Sequence, residues 1–496
     1  MGDELTALDA TFLELEEADD SAHMHIGAVA LFQPPAGRAP PSLDEVRAET
    51  EARLDDLPRY RQRLSSQRTG GLHWPRWVED ERFRIERHVT AAQLPRPGGT
   101  RELLAWAGGY FSQRLDRTRP LWEIVLIGMG DGRWALVSKT HHCMVDGVGS
   151  VELAHTLFDV EPEAPSRAAR RATPPHARGG PEEGNRAYLP SLVGGGLRLA
   201  TAPPRLAGRL VRGAALRAWR GATSPTAEAR RAADTLRRAA ALAELIVRDE
   251  VIPAPHTSLN DPIGARRRLA TLSVPLAGMK QIRAALGGTV NDVVLAAASG
   301  GFRELLMSRG EPLPSRGLRA MVPVSIRGAA DRLAVGNRIT SLFVNLPIAE
   351  EDPLARYRTV TEEAEGLKSG SQAQGSLAVL DLTGYAPPIV HSFLARSLYA
   401  TRLFNVTITN VPGPQRPLYA FGSRLRAVWP LVPLAANHAV GVAVFSYDGD
   451  VCFSLNADRD AVPDLDVLAS GISSALDELR RLAVDAERRH VRSTAG

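Results

Sequence analysis

Cysteine is scarce in this 496-residue chain: Cys143 and Cys452 are the only two. Two thiols supply no disulfide framework, so the fold must rest on its own cores, and a reducing cytoplasm is the expected setting. Lysine is nearly absent as well, occurring only at positions 139, 280 and 368. The basic charge is therefore carried by arginine, a bias that mainly reflects GC-rich coding. With a formal net charge of +4 and a pI near 9.2, the balance argues against dedicated nucleic-acid binding and leaves weak attraction to anionic surfaces. No apolar run is long enough to span a membrane. The most apolar stretch, Val428 to Phe445, is broken by Pro430, Pro433, Asn437 and His438. No export signal is visible, so any membrane role is expected to be peripheral.

What the chain does have is a globular composition, 44% hydrophobic, and a length that implies two domains of about 150–250 residues plus a connector. Residues 1–160 read as a mixed α/β domain. Met24 to Phe32 is a strand candidate, and Ser42 with Glu45 forms a capping box ahead of a helix reaching Leu57. Leu121 to Ile127 and Trp134 to Thr140 flank Gly130-Asp131-Gly132 as a hairpin, and Ser150 can cap a following helix. Residues 161–257 form a linker or crossover rich in Pro, Ala, Arg and Gly. Within it, residues 186–226 hold seven arginines and no acidic residue. That segment can lie on an anionic lipid surface, or it can pack as a linker helix with a solvated arginine face. Residues 258–496 form a second mixed domain. Its expected elements are helices at Leu276–Leu286 and after Thr289, strands at Leu318–Ile326, Ile339–Leu346 and Phe404–Thr409, and a hairpin at Tyr447-Asp448-Gly449-Asp450.

The chemistry concentrates in Lys139-Thr140-His141-His142-Cys143-Met144-Val145-Asp146-Gly147. Adjacent side chains diverge, so two neighbouring histidines cannot do the same work. Delivered by a strand into a turn, His142 is held rigidly yet exposed, as a general base acting on a hydroxyl should be. Asp146 sits across the turn that Gly147 permits, where it can either orient the imidazole or lock the loop through an arginine. A metal site is disfavoured because no third ligand is in view. Cys143 reads as a small buried hydrophobe rather than a nucleophile.

These residues resemble a known signature. His141-His142-x-x-x-Asp146-Gly147 is similar to the active-site motif of the CoA-dependent acyltransferase superfamily. The chain as a whole resembles the bacterial wax ester synthase/acyl-CoA:diacylglycerol acyltransferase family. The resemblance rests on Leu8-Asp9-Ala10-Thr11-Phe12-Leu13, Pro120-Leu121-Trp122-Glu123, Ser258-Leu259-Asn260, Asn291-Asp292, Val322 to Arg327, and Asn405 to Pro414. It implies an α/β fold of two chloramphenicol-acetyltransferase-like domains, each a mixed β-sheet with flanking helices, joined by a long helical crossover. It also implies direct acyl transfer from acyl-CoA to diacylglycerol or a fatty alcohol, with no cofactor and no metal. His142 would be the base, His141 a positioning residue, Asp146 structural and Gly147 the loop turn.

Two further groups follow. Thr289 and Asp292 read as a capping box, and Asn291 in the first helical turn is a candidate donor to the oxyanion of the tetrahedral transition state. Pro120, Leu121 and Trp122 read mainly as packing and as candidate channel lining. The expected partners are acyl-CoA and a lipid alcohol, with a membrane or lipid-droplet surface reached through residues 186–226. Two alternatives stay open: an acyltransferase using another hydroxyl acceptor or a carrier-bound donor, and a non-catalytic lipid-body surface protein.

Overall fold

The structure is a computed structural model that describes residues 3–65, 74–144, 158–163, 253–325, 339–369 and 403–494. Two six-stranded mixed sheets organise it. The first is built on β1 (His25–Gln33), β4 (Val89–Gln93), β5 (Trp122–Gly128) and β6 (Trp134–His141). As expected, β5 and β6 form an antiparallel hairpin, and β6 also pairs with β1. The short strands β2 (Gln62–Leu64) and β3 (Trp77–Glu79) pair with each other outside both sheets.

Helix α1 (Ala7–Ala18) precedes this sheet, and α2 (Leu43–Arg53) covers one face of it. The capping box of α2 is present, with Ser42 N–H donating to Glu45 Oε2 at 2.7 Å. Helix α3 (Thr100–Phe111) covers the other face. A core containing Trp122, Trp134, Tyr60 and Phe32 lies on the α2 side, and one containing Val125, Val137 and Phe111 on the α3 side.

The second sheet contains β7 (Arg267–Pro275), β8 (Leu318–Ser325), β9 (Ile339–Leu346), β10 (Val406–Pro412), β13 (Val440–Tyr447) and β14 (Asp450–Asp458). Asp448 and Gly449 both have positive φ, 47° and 90°, as a two-residue hairpin between β13 and β14 requires. Among the described residues this half has four helices: α4 (Leu276–Leu286), α5 (Val290–Ser308), α6 (Pro353–Ser369) and α7 (Leu465–Thr494). Helix α5 is buried nearly all round, against α7 and α6, which explains its run of Val, Leu and Ala.

The expected boundary at residue 258 does not separate the two sheets. Strands β11 (Tyr419–Ala420) and β12 (Ser423–Leu431) come from the C-terminal half and complete the first sheet, β12 pairing antiparallel with β1. Trp134 stacks on Phe32 at 4.2 Å and donates through Nε1 to Ser423 Oγ at 3.1 Å, so this return is tied into the core. On the far side, α3 packs against β7. A Cβ on Gly108 would lie 2.8 Å from the Arg267 carbonyl oxygen, so only glycine permits that approach.

Candidate active site

Strand β6 alternates between the two cores, Val137 facing α3 while Ser138 and Thr140 face α2. Ser138 and Thr140 line a small apolar recess with Thr50, Leu54, Tyr60 and Trp122. His141 ends the strand; its N–H donates to Leu121 O at 2.9 Å and its side chain is fully buried. The ladder makes one more bond, His142 N–H to Met24 O at 2.9 Å. A turn then closes, with Met144 N–H donating to His141 O at 3.0 Å. The two histidines therefore divide as sequence reasoning expects. His141 is the last residue of the strand, its side chain buried, and His142 opens the turn, half-buried.

Helix α1 lies along this turn, touches His141 and His142, and sets a charge near Cys143. Phe12 stacks on the His142 ring at 3.8 Å and 10°. Glu16, one turn further along the same helix face, approaches His141 Nε2 at 3.4 Å and His25 Nε2 at 3.5 Å. Asp9, one turn earlier, places its charge near Cys143.

Glu16 is almost fully buried, and its carboxylate also accepts Met24 N–H at 3.1 Å and pairs with Arg117 at 3.0 Å. Burial raises its pKa, but His141, His25 and Arg117 outweigh that and hold it below the usual carboxylate range. Burial pushes His141 down, only partly offset by Glu16, so a neutral imidazole faces an ionised carboxylate. The tautomer follows from the other nitrogen. Cys143 N–H donates to His141 Nδ1 at 3.2 Å, which leaves the proton on Nε2, toward Glu16.

Cys143 is buried, and burial pushes its thiol well above the ordinary value, an environment that disfavours the thiolate. Lys139 is buried as well. Its ammonium donates to Tyr110 O and Gln113 O at 3.2 and 3.1 Å and sits over the Tyr110 ring, clamping the end of α3 to the sheet. Among the described residues, no group of three or more His, Cys, Asp or Glu is arranged to hold a metal ion.

Leu121 and Trp122 are core residues, as expected for packing. Trp122 donates to Tyr60 O at 2.8 Å, and the backbone of Leu121 anchors His141. On the second sheet's side, Asp292 completes the capping box with Thr289, accepting its N–H at 2.8 Å. Asn291 sits at the second position of α5, and its Oδ1 accepts from Asn410 Nδ2 at 3.4 Å, which leaves its own Nδ2 to donate elsewhere. Asn410 lies on β10, whose next residue, Val411, packs against the core containing Cys143 and Met144. The expectations for Asp146, Gly147, the helix after Ser150 and the arginine segment 186–226 fall outside the described residues.

Comparison with known proteins decides the family. The catalytic-domain model of wax ester synthase/diacylglycerol acyltransferase matches residues 5–294, and the C-terminal domain model matches residues 335–480. The chain belongs to the wax ester synthase/diacylglycerol acyltransferase family. A probable diacylglycerol O-acyltransferase of Mycobacterium tuberculosis is 34% identical over 495 residues, covering 99% of this chain and 98% of that one. A wax ester synthase/diacylglycerol acyltransferase from Marinobacter aquaeolei superposes with a TM-score of 0.66 at 27% identity, over 97% of this chain and 100% of that one. The first condensation domain of the calcium-dependent antibiotic synthetase shares the fold, with a TM-score of 0.58 at 17% identity over 98% of this chain and 97% of its own. The two-domain α/β architecture of the wax ester synthase/diacylglycerol acyltransferase family is thus the architecture of this chain.

Sequence reasoning gave no role to Glu16, Phe12 or Met24. The only signal for the first two was the spacing of Asp9, Phe12 and Glu16 on one helix face. Glu16 was hidden among Glu14 and Glu17, a run that reads as a solvated surface.

Proposed function

We propose that this chain moves a long-chain acyl group from acyl-CoA to the hydroxyl of diacylglycerol or a fatty alcohol, with His142 as general base. The observation that carries the reading is the end of β6. One imidazole is buried in the core facing Glu16 at 3.4 Å, and its neighbour is presented on a turn, in a chain that aligns from end to end with diacylglycerol O-acyltransferases.

Imidazole is the side chain whose ordinary pKa lies near neutrality, which suits it to take the hydroxyl proton as the alcohol oxygen attacks the thioester carbonyl. Attack forms the C–O bond and a tetrahedral oxyanion. Asn291 Nδ2 is our candidate donor to that oxyanion, assisted by the N-terminal end of α5. Collapse breaks the C–S bond, and the imidazolium returns its proton to the CoA thiolate. No acyl-enzyme forms, consistent with the buried thiol of Cys143. In this reading Asp146 and Gly147 keep the structural part that the motif resemblance assigns them. Trp122 and the recess beside Thr140 are candidate lining for the substrate channel.

No helix among the described residues is long and apolar enough to cross a membrane. A cytoplasmic enzyme that reaches lipid peripherally, through the arginines of 186–226, fits the low acidity of that segment. Binding to anionic vesicles that is released by salt supports this attachment; salt-insensitive binding counts against it.

The test of function is release of free CoA thiol from palmitoyl-CoA, with diacylglycerol or hexadecanol as acceptor. Turnover that depends on an acceptor and is lost in His142→Ala is the expected result. No CoA release with either acceptor, from intact protein, sinks the proposal.

A further inference from the structure

Phe12 packs against the small cluster of Leu15, Ala22 and Met24, a role that any apolar side chain of its size could fill. The structure instead places a flat ring parallel to the imidazole, at 3.8 Å and 10°. Its helix is fixed from both sides of that contact, by Thr6 capping the N-terminus and by Glu16 bound to Arg117 and Met24. His142 is fixed through the same residue, its N–H bonded to Met24 O. Both rings are thus registered on one backbone segment.

We propose that Phe12 is a positioning residue for the base: its ring face sets the plane of the His142 imidazole and stabilises the imidazolium that forms as the acceptor gives up its proton. A neutral imidazole gains only dispersion from such a stack. An imidazolium is also attracted by the negative face of the aromatic ring. The contact therefore strengthens on the way to the transition state, the condition for raising turnover rather than binding. The inference rests on the reading of His142 as the base.

Among the described residues, the charged and titratable groups around the pair include Asp9 and Glu16 on α1, His23 and His25 ahead of and on β1, His141 and Cys143 beside it, Arg117 after α3, and Arg59 near Cys143. None of them changes in a Phe12 variant, so a shifted pH profile reads the stacked ring.

The experiment compares Phe12→Leu, Phe12→Tyr and His142→Ala in the full chain, with palmitoyl-CoA and diacylglycerol, after circular dichroism has verified folding. Phe12→Leu should lower kcat by about two- to thirtyfold with KM for palmitoyl-CoA unchanged. Loss of imidazolium stabilisation should also move the acid limb of the profile to lower pH. Phe12→Tyr should restore both. A leucine variant with wild-type kcat and acid limb overturns the inference, and so does a tyrosine variant as impaired as leucine. Phe12→Met is read in the same way where the leucine variant does not fold. If His142→Ala keeps turnover, the base reading itself fails. If it abolishes turnover while Phe12→Leu is unaffected, only the role of Phe12 fails.

Discussion

Glu16→Gln exchanges a buried carboxylate for a neutral amide of nearly the same shape. The amide oxygen can still accept from Met24 N–H or from Arg117, but not from all the groups that now converge on the carboxylate. Its NH2 must then face another donor, His141 Nε2–H or the Arg117 guanidinium. One orphaned buried donor costs about 1–3 kcal/mol, and a broken buried ion pair about 3–5 kcal/mol. The Arg117 side chain is 32% exposed, so water recovers part of its loss, and the net cost falls near 2–3 kcal/mol.

The sign with pH is fixed by the depressed pKa. The stability that ionised Glu16 contributes is fully present above the unfolded value of about 4.3 and is lost as pH falls from there through the lower folded value. Urea denaturation should therefore show a gap between wild type and Glu16→Gln that is widest at neutral pH and narrows below about pH 4.3, with similar m-values. CoA release should fall as well, because His141 loses the carboxylate charge that faces its Nε2 at 3.4 Å. A variant as stable as wild type at pH 7, or a gap that is the same at pH 7 and pH 3.5, would refute the charged-cluster reasoning.

Three other outcomes follow from the geometry. Asn291→Ala should lower kcat by about a hundredfold or more in a folded enzyme, measured by CoA release; a loss below threefold removes it as the oxyanion donor. Cys143→Ala should retain turnover within a fewfold and lose about 1 kcal/mol of stability to a small cavity; full inactivation would mean the thiol takes part. Gly108→Val should destabilise the chain by about 1–3 kcal/mol in thermal unfolding, because its Cβ meets the Arg267 carbonyl oxygen at 2.8 Å.

Features whose physics is local were legible in the sequence. The Asp448-Gly449 hairpin, the capping boxes at Ser42 and Thr289, and the strand that delivers His141 all appear where residue chemistry places them. The divergence of the two histidines was legible for the same reason. What stayed hidden depends on partners distant in sequence. Nothing local distinguishes Glu16 from the exposed Glu17 beside it until α1 docks on the β6 turn. Strand β12 was obscured in another way. Val428 to Phe445 reads as one broken apolar stretch, whereas it holds the end of a strand of the first sheet, with Pro430 inside it, and a strand of the second, the two separated by residues 432–439. Partner choice between sheets is set by tertiary packing, which no window of residues contains.

The return of β12 also sets the timing of synthesis. Phe32 leaves the ribosome well before the residue it pairs with, Leu425. Until then β1 presents an open edge on the strand that positions Met24 and, through it, the turn of His142. Nascent chains usually fold from the N-terminus domain by domain. Here the first sheet must wait for β12, which follows most strands of the second sheet, with an unpaired edge of the kind that recruits wrong partners. A premature stop anywhere before residue 423 leaves that sheet without β12, and a chimera that exchanges the C-terminal half replaces part of the sheet that carries the histidines.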